Sequence, residues 1–117
     1  MNNYKTLIVW QKSVDLSIDI YIATSSFPSE EKYGLTNQIR RAATSIPANI
    51  AEGAGRNSPK EFNQFLAISN GSSNELETFL IISEKLGFLN METKEKLSNQ
   101  IVEIQKMINK LKQSLKV

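Results

Sequence analysis

Arg40 and Arg41 open the stretch RRAATSIPANIAEGAGR, Arg56 closes it, and Lys60 follows four residues later. A second basic group, Lys106, Lys110, Lys112 and Lys116, lies near the C-terminus. The chemistry open to such side chains is phosphate binding: a guanidinium donates paired hydrogen bonds from a planar fork, and an ammonium acts as a point charge. Other chemistry is limited by inventory. The chain has no histidine and no cysteine, which excludes disulfides, thiolate catalysis, zinc fingers, Ser-His-Asp triads and Glu-x-x-His di-iron sites. Acid–base or nucleophilic catalysis would fall to a carboxylate pair or a lysine. Glu75 and Glu77 are two apart on a helix and face different ways, while Glu30 and Glu31 fall in a turn beside Lys32, where water solvates them. The GAGR at 53–56 lacks the preceding strand and downstream lysine of a phosphate loop. The expectation is a non-enzymatic protein with no cofactor and no metal.

Each basic residue also has a structural use. Adjacent helical residues point about 100° apart, so Arg40 and Arg41 do not line one groove together. Glu52 precedes Arg56 by four residues and is placed to pair with it. The C-terminal lysines fit a solvated helix face. Asn49 and Glu52 adjoin an apolar stripe, where a polar group needs a partner from a neighbouring helix or subunit unless it reaches the surface. A net charge of +2 and a pI of about 8.9 fall short of a dedicated nucleic-acid binder.

The elements that must position these residues are helical throughout. Residues 1–117 read as a single domain. The apolar run Leu7–Trp10 is too short for a signal peptide, and no stretch approaches the ~20 apolar residues of a membrane span. A soluble cytoplasmic protein is expected. Leu7, Trp10, Val14, Ile18 and Tyr21 recur at helical spacing, and Val9, Leu16 and Ile20 form a second stripe beside them. So wide an apolar surface either wedges this helix between two neighbours or leaves a face, with Trp10 in it, for another subunit. Ser26–Ser29 ends the first helix. Thr36 is an N-cap candidate for the second, with Ile39, Ala43, Ile46 and Ile50 as its buried stripe and Gly53, Gly55 and Asn57 closing it.

Ser58-Pro59-Lys60-Glu61 is a capping box in which serine and glutamate each satisfy an orphan N–H. The third helix then carries Phe62, Phe65, Leu66, Ser69, Ser73, Leu76, Phe79, Leu80 and Ser83 on one face, and Gly87-Phe88 caps it. The fourth helix starts near Asn90 or Thr93. Its seam is Leu97, Ile101, Ile104, Ile108, Leu111 and Leu115. Short connections make these four helices an all-α, antiparallel up-down-up-down four-helix bundle.

Pro47 interrupts the second helix, at about 3 kcal/mol for a helix interior. The expectation is that helix two kinks at Pro47; the rival reading is that it stops near Ile46 and restarts with Pro47 in its first turn. A hairpin folded about Arg56-Asn57 sets Ala42 level with Gly71, Ala43 with Asn70, and Thr44 with Ser69, which predicts a close crossing of small residues. The carbonyl of Ala43 loses its helical partner, and Asn70 or Ser69 is placed to replace it. The same register sets Arg41 level with Ser72 and within a turn of Glu75, its expected ion-pair partner.

Three segments, VWQKSVDLSIDIY at 9–21, FPSEEKYGLTNQIRRAATSIPANIAEGAGR at 27–56 and SPKEFNQFLAISNGSSNELE at 58–77, resemble the four-helix-bundle proteins encoded in intervening sequences of bacterial 23S rRNA genes, the 23S ribosomal protein family. The chain is also similar to the accessory variability determinants of diversity-generating retroelements. The resemblance implies a homopentamer around a central channel, no catalytic residues, and, from the retroelement proteins, contact with nucleic acid and a reverse transcriptase. Five chains at +2 each would carry a modest positive field. Two functions follow as expectations: an RNA- or ribonucleoprotein-associated oligomer using Arg40, Arg41, Arg56, Lys60, Lys106 and Lys110, or a scaffold that binds another protein without nucleic acid.

Overall fold

The computed structural model describes residues 3–117. Four helices account for most of it: α1 (Ile8–Thr24), α2 (Leu35–Ala54), α3 (Pro59–Lys85) and α4 (Met91–Ser114). Short 3-10 turns at Tyr4–Thr6 and Ser29–Glu31 precede α1 and α2. Each helix lies beside two others, in the cyclic order α1–α2–α3–α4. Cross-bundle hydrogen bonds fix the antiparallel sense: Ser69 and Ser72 of α3 meet Ile46 and Ser45 of α2, and Asn70 and Ser73 meet Asn109 and Gln105 of α4. The expected up-down-up-down bundle is therefore formed.

The helix ends follow local chemistry. Ser58 Oγ accepts the Glu61 N–H at 3.2 Å, and Pro59 occupies the first turn of α3. The other half of the capping box is absent, because the Glu61 carboxylate turns to Arg56 instead, at 3.4 Å. At the far end of α3, Gly87 adopts φ +81° and the Phe88 N–H reaches back to the Ser83 carbonyl at 2.9 Å. That is the left-handed cap expected of Gly-Phe. Asn90 caps α4, its Oδ1 accepting the Thr93 N–H at 2.7 Å. Thr36 is not a cap. It lies inside α2, buried with Oγ1 unpartnered, while the Glu31 carboxylate receives the Leu35 N–H at 3.3 Å. Glu31 is thus engaged with the backbone rather than simply solvated.

The core takes the expected stripes from α2, α3 and α4. Ile39, Ala43, Ile46 and Ile50 are fully buried, as are Leu66, Leu76 and Leu80, with Leu97, Ile101, Ile104 and Ile108 facing them. In α1 the two stripes divide between core and surface. Val9, Leu16 and Ile20 enter the core with Ser13, Ser17 and Thr24, whereas Ile18 and Tyr21 stay exposed. The hydroxyls cross this boundary by bonding to the preceding turn: Ser13 to Trp10, Ser17 to Ser13 and Thr24 to Ile20 carbonyls, at 2.8, 3.0 and 2.7 Å. A satisfied serine fills little volume and lets a neighbouring helix approach.

α2 runs unbroken from Leu35 to Ala54 with Pro47 inside it, so no restart occurs at Ile46, and the expected kink is not confirmed. Pro47 removes the N–H that the Ala43 carbonyl would have received. Ser17 Oγ of α1 lies 3.2 Å from that carbonyl. The expected partners lie elsewhere: Ser69 donates to Ile46 at 3.0 Å, and Asn70 to Asn109. The α2–α3 register is shifted from the hairpin estimate, since Ser69 meets Ile46 rather than Thr44, and Ser72 meets Ser45 rather than Arg41. Gly71 faces open space, with nothing within 4 Å of where a Cβ would stand. The tight crossing is at Gly53, where a Cβ would fall 2.7 Å from Phe65 Cβ and 2.8 Å from Phe62 Cδ1. Gly53 sits inside the helix and does not close it.

Candidate nucleic-acid interface

At one end of the bundle α1 finishes, the Ser29–Glu31 turn crosses over, and α2 begins. This crossing delivers Lys32 and Tyr33, and the first turns of α2 deliver Asn37, Gln38, Arg40 and Arg41. Two grooves share Tyr33, Asn37 and Arg41. The larger, about 440 Å³, adds Gln38, Ser45 and Glu75. The smaller, about 290 Å³, adds Tyr21, Lys32, Arg40 and Thr44. Their walls hold three cations, Lys32, Arg40 and Arg41, against a single carboxylate, Glu75.

Arg40 is held by α1. Its Nε donates to Thr24 Oγ1 at 2.9 Å, an Nη donates to the Tyr21 carbonyl at 3.3 Å, and the guanidinium stacks 4.5 Å from the Tyr21 ring centroid. A cation at the carbonyl end of a helix is favourable because that end carries partial negative charge. Arg41, one residue on, is exposed, and the expectation that the two arginines would not line one groove is overturned: both border the smaller groove, and Arg41 borders the larger one as well. The expected Arg41–Glu75 ion pair does not form: among the described residues the ion pairs are Lys12–Glu103, Arg56–Glu52 and Arg56–Glu61. Arg41 and Glu75 instead face one groove from its two walls.

The six cations proposed from the sequence do not form one surface. Arg56 and Lys60 lie at the α2–α3 turn, and Lys110 adjoins Leu7, Ile8 and Val9 at the start of α1. All are at the opposite end from Arg40 and Arg41, in a bundle 43 Å long. Arg56 is also engaged, 3.0 Å from Glu52 as expected, 3.4 Å from Glu61, and 5.0 Å over the Phe65 ring. Lys60, Lys106 and Lys110 are exposed.

The four structural candidates resolve differently. Glu52 is exposed and, among the described residues, pairs with Arg56 alone. Asn49 bonds within α2, its Nδ2 donating to the Ser45 carbonyl and Ser45 Oγ at 2.8 and 2.9 Å. It reaches α3 only indirectly, through the 2.9 Å Ser45–Ser72 hydroxyl pair. Trp10 is half-buried, with Tyr4 edge-on at 5.2 Å. Pro47 is buried and forms, with Val14, Ile18, Tyr21, Ile22 and Thr44, a groove of about 410 Å³ between α1 and α2. Ile18 and Ile22, 55% and 67% exposed, continue it outward.

Residues 5–110 match the family described as 23S rRNA-intervening sequence protein. The chain belongs to that family. A solved relative with the same bundle is a protein of unknown function from the S23 ribosomal protein family of Bacteroides thetaiotaomicron VPI-5482. The two share 27% identity with a TM-score of 0.80, over 90% of this chain and 98% of that one. Comparison with curated proteins finds no match. The family match spans the three segments that carry the sequence resemblance and much of α4 besides.

Within this member of the 23S rRNA-intervening sequence family, the cation–aromatic end was only partly visible in the sequence. Arg40 and Arg41 stand out, but Lys32, Tyr33, Asn37 and Gln38 do not. The available signal was KYG at 32–34, a cation and an aromatic held in a turn. An aromatic there has no core face to occupy.

Proposed function

We propose that this protein is a non-enzymatic, cytoplasmic helical-bundle module that associates with RNA or ribonucleoprotein and assembles as a homo-oligomer, the pentamer implied by its resemblance. The observation that carries the RNA reading is the gathering of Lys32, Arg40 and Arg41 with Tyr21 and Tyr33 around two joined grooves. Cations bind phosphates and aromatic rings stack on bases, so this combination suits nucleic acid better than either residue type alone. The open apolar side of α1 supports self-association, because contiguous exposed apolar surface marks interaction sites.

The test is binding of a labelled structured RNA at about 50 and 200 mM salt. Micromolar or tighter binding that weakens as salt rises is expected. Absence of binding at the lower salt, by this RNA and by an unpaired strand alike, overturns the RNA reading. A second reading then stands on the groove at Pro47: a scaffold that seats another protein along Val14, Ile18 and Ile22, without nucleic acid.

A further inference from the structure

We infer that the α1–α2 end takes an unpaired stretch of RNA, with one base stacked on Tyr33 and its flanking phosphates on Lys32, Arg40 and Arg41. The inference rests on the RNA reading above and specifies its ligand. Tyr33 is 86% exposed, although a tyrosine ring carries a large apolar surface that water does not favour. Lys32 Nζ sits 5.4 Å from its centroid, placing a charge beside the ring. An open aromatic with an adjoining cation is the arrangement with which proteins bind single strands, since every base presents a π-face.

The two grooves divide the chemistry. The smaller holds all three cations and no carboxylate, which suits phosphate. The larger holds Glu75 with the amides of Asn37 and Gln38 and the hydroxyl of Ser45. A carboxylate repels phosphate but accepts hydrogen bonds from the amino and imino groups on a base edge. Tyr33 stands on the wall of both. A base lying against it would present its edge to the larger groove while its backbone follows the smaller one.

Size and charge favour a single strand over a duplex. Grooves of about 440 and 290 Å³ admit a nucleotide or two rather than a helix. Bases in a duplex are already stacked on each other, so an aromatic platform gains nothing from them. Three cations on a strand predict a log–log salt slope of roughly −2 per chain, far shallower than a long basic stripe would give.

The experiment measures affinity of the full chain for an unstructured RNA of about 12 nucleotides and for the same sequence as a duplex. The comparison uses wild type, Tyr33→Ala, Tyr33→Phe and Arg41→Gln. Tyr33→Ala is expected to weaken single-strand binding about tenfold or more, and Tyr33→Phe to restore it, because a phenylalanine ring still stacks. Arg41→Gln should weaken binding and reduce the magnitude of the salt slope by about 0.7. Tyr33 and Arg41 are both exposed, so these variants are expected to fold. Unchanged binding by Tyr33→Ala, or a wild type that prefers the duplex, overturns this inference while leaving RNA association intact. Failure of the wild type to bind either RNA at low salt overturns both.

Discussion

Ser17 Oγ of α1 lies 3.2 Å from the carbonyl oxygen of Ala43 in α2, the backbone acceptor that Pro47 leaves without an N–H. The same hydroxyl lies 3.0 Å from the Ser13 carbonyl, so one donor stands between two acceptors on different helices. A buried carbonyl without a donor costs about 1–3 kcal/mol. The proline in α2 is thus tolerated because a residue of another helix completes the ladder.

Ser17→Ala should therefore lower unfolding free energy by about 1–3 kcal/mol. Combined with Pro47→Ala, which restores a backbone N–H to the ladder, the serine substitution should cost less. A double-mutant cycle in urea should return a coupling of about 1 kcal/mol. Strict additivity would show that the serine and the proline do not share that carbonyl.

Two glycines of adjacent helices should respond to alanine with opposite sign. Gly71 lies inside α3 facing open space, so Gly71→Ala should stabilise the fold by roughly 0.5–1 kcal/mol through helix propensity. At Gly53 the new methyl would stand 2.7 Å from Phe65 Cβ, and overpacking of about 1–3 kcal/mol should outweigh the same propensity gain. Thermal melts of the two variants check the signs. A stabilising Gly53→Ala would mean that α2 and α3 can separate without loss.

At the α2–α3 turn a neutral cap should outweigh a visible ion pair. Ser58→Ala removes the acceptor for the Glu61 N–H and should cost about 1 kcal/mol. Glu52→Gln removes an exposed pair with Arg56 and should cost no more than about 0.5 kcal/mol. Chemical denaturation ranks them, and the reverse order would contradict the cap geometry.

The outer face of α1 should govern assembly and not folding. Ile18→Glu places a charge on a side chain already 55% exposed, so unfolding free energy should move by no more than about 0.5 kcal/mol. Light scattering should nonetheless show a lower oligomer mass than wild type. A wild-type monomer, or an unchanged mass in the variant, removes the assembly role from this face.

Fold and site were legible to different degrees for a physical reason. The cores of α2, α3 and α4 follow apolar periodicity, which directly records burial, and Ile39, Leu80 and Ile104 were readable for that reason. In α1 the same reading named both stripes without ranking them, because Ser13, Ser17 and Thr24, which complete the core face, look polar in a sequence while their hydroxyls bond to the preceding turn. The α2–α3 register depended on knowing where the turn ends and on the steric demand at Gly53, which composition does not express. Of the basic residues, Arg56 was rightly assigned to Glu52 by spacing alone. The convergence of Lys32 and Tyr33 on Arg41 depends on the path of the α1–α2 connection, and no local pattern encodes that path.

Tyr21 belongs to two surfaces at once. Its ring lies against Arg40 in the smaller basic groove and also lines the apolar groove at Pro47. An occupant of either groove therefore meets the same ring, and a shift of that ring by one occupant would link the two binding equilibria. If a neighbour seated along α1 changes affinity at the basic end by some factor, a strand bound there changes the affinity for the neighbour by the same factor. Assembly state and ligand occupancy would then be read out together by the orientation of a single aromatic side chain.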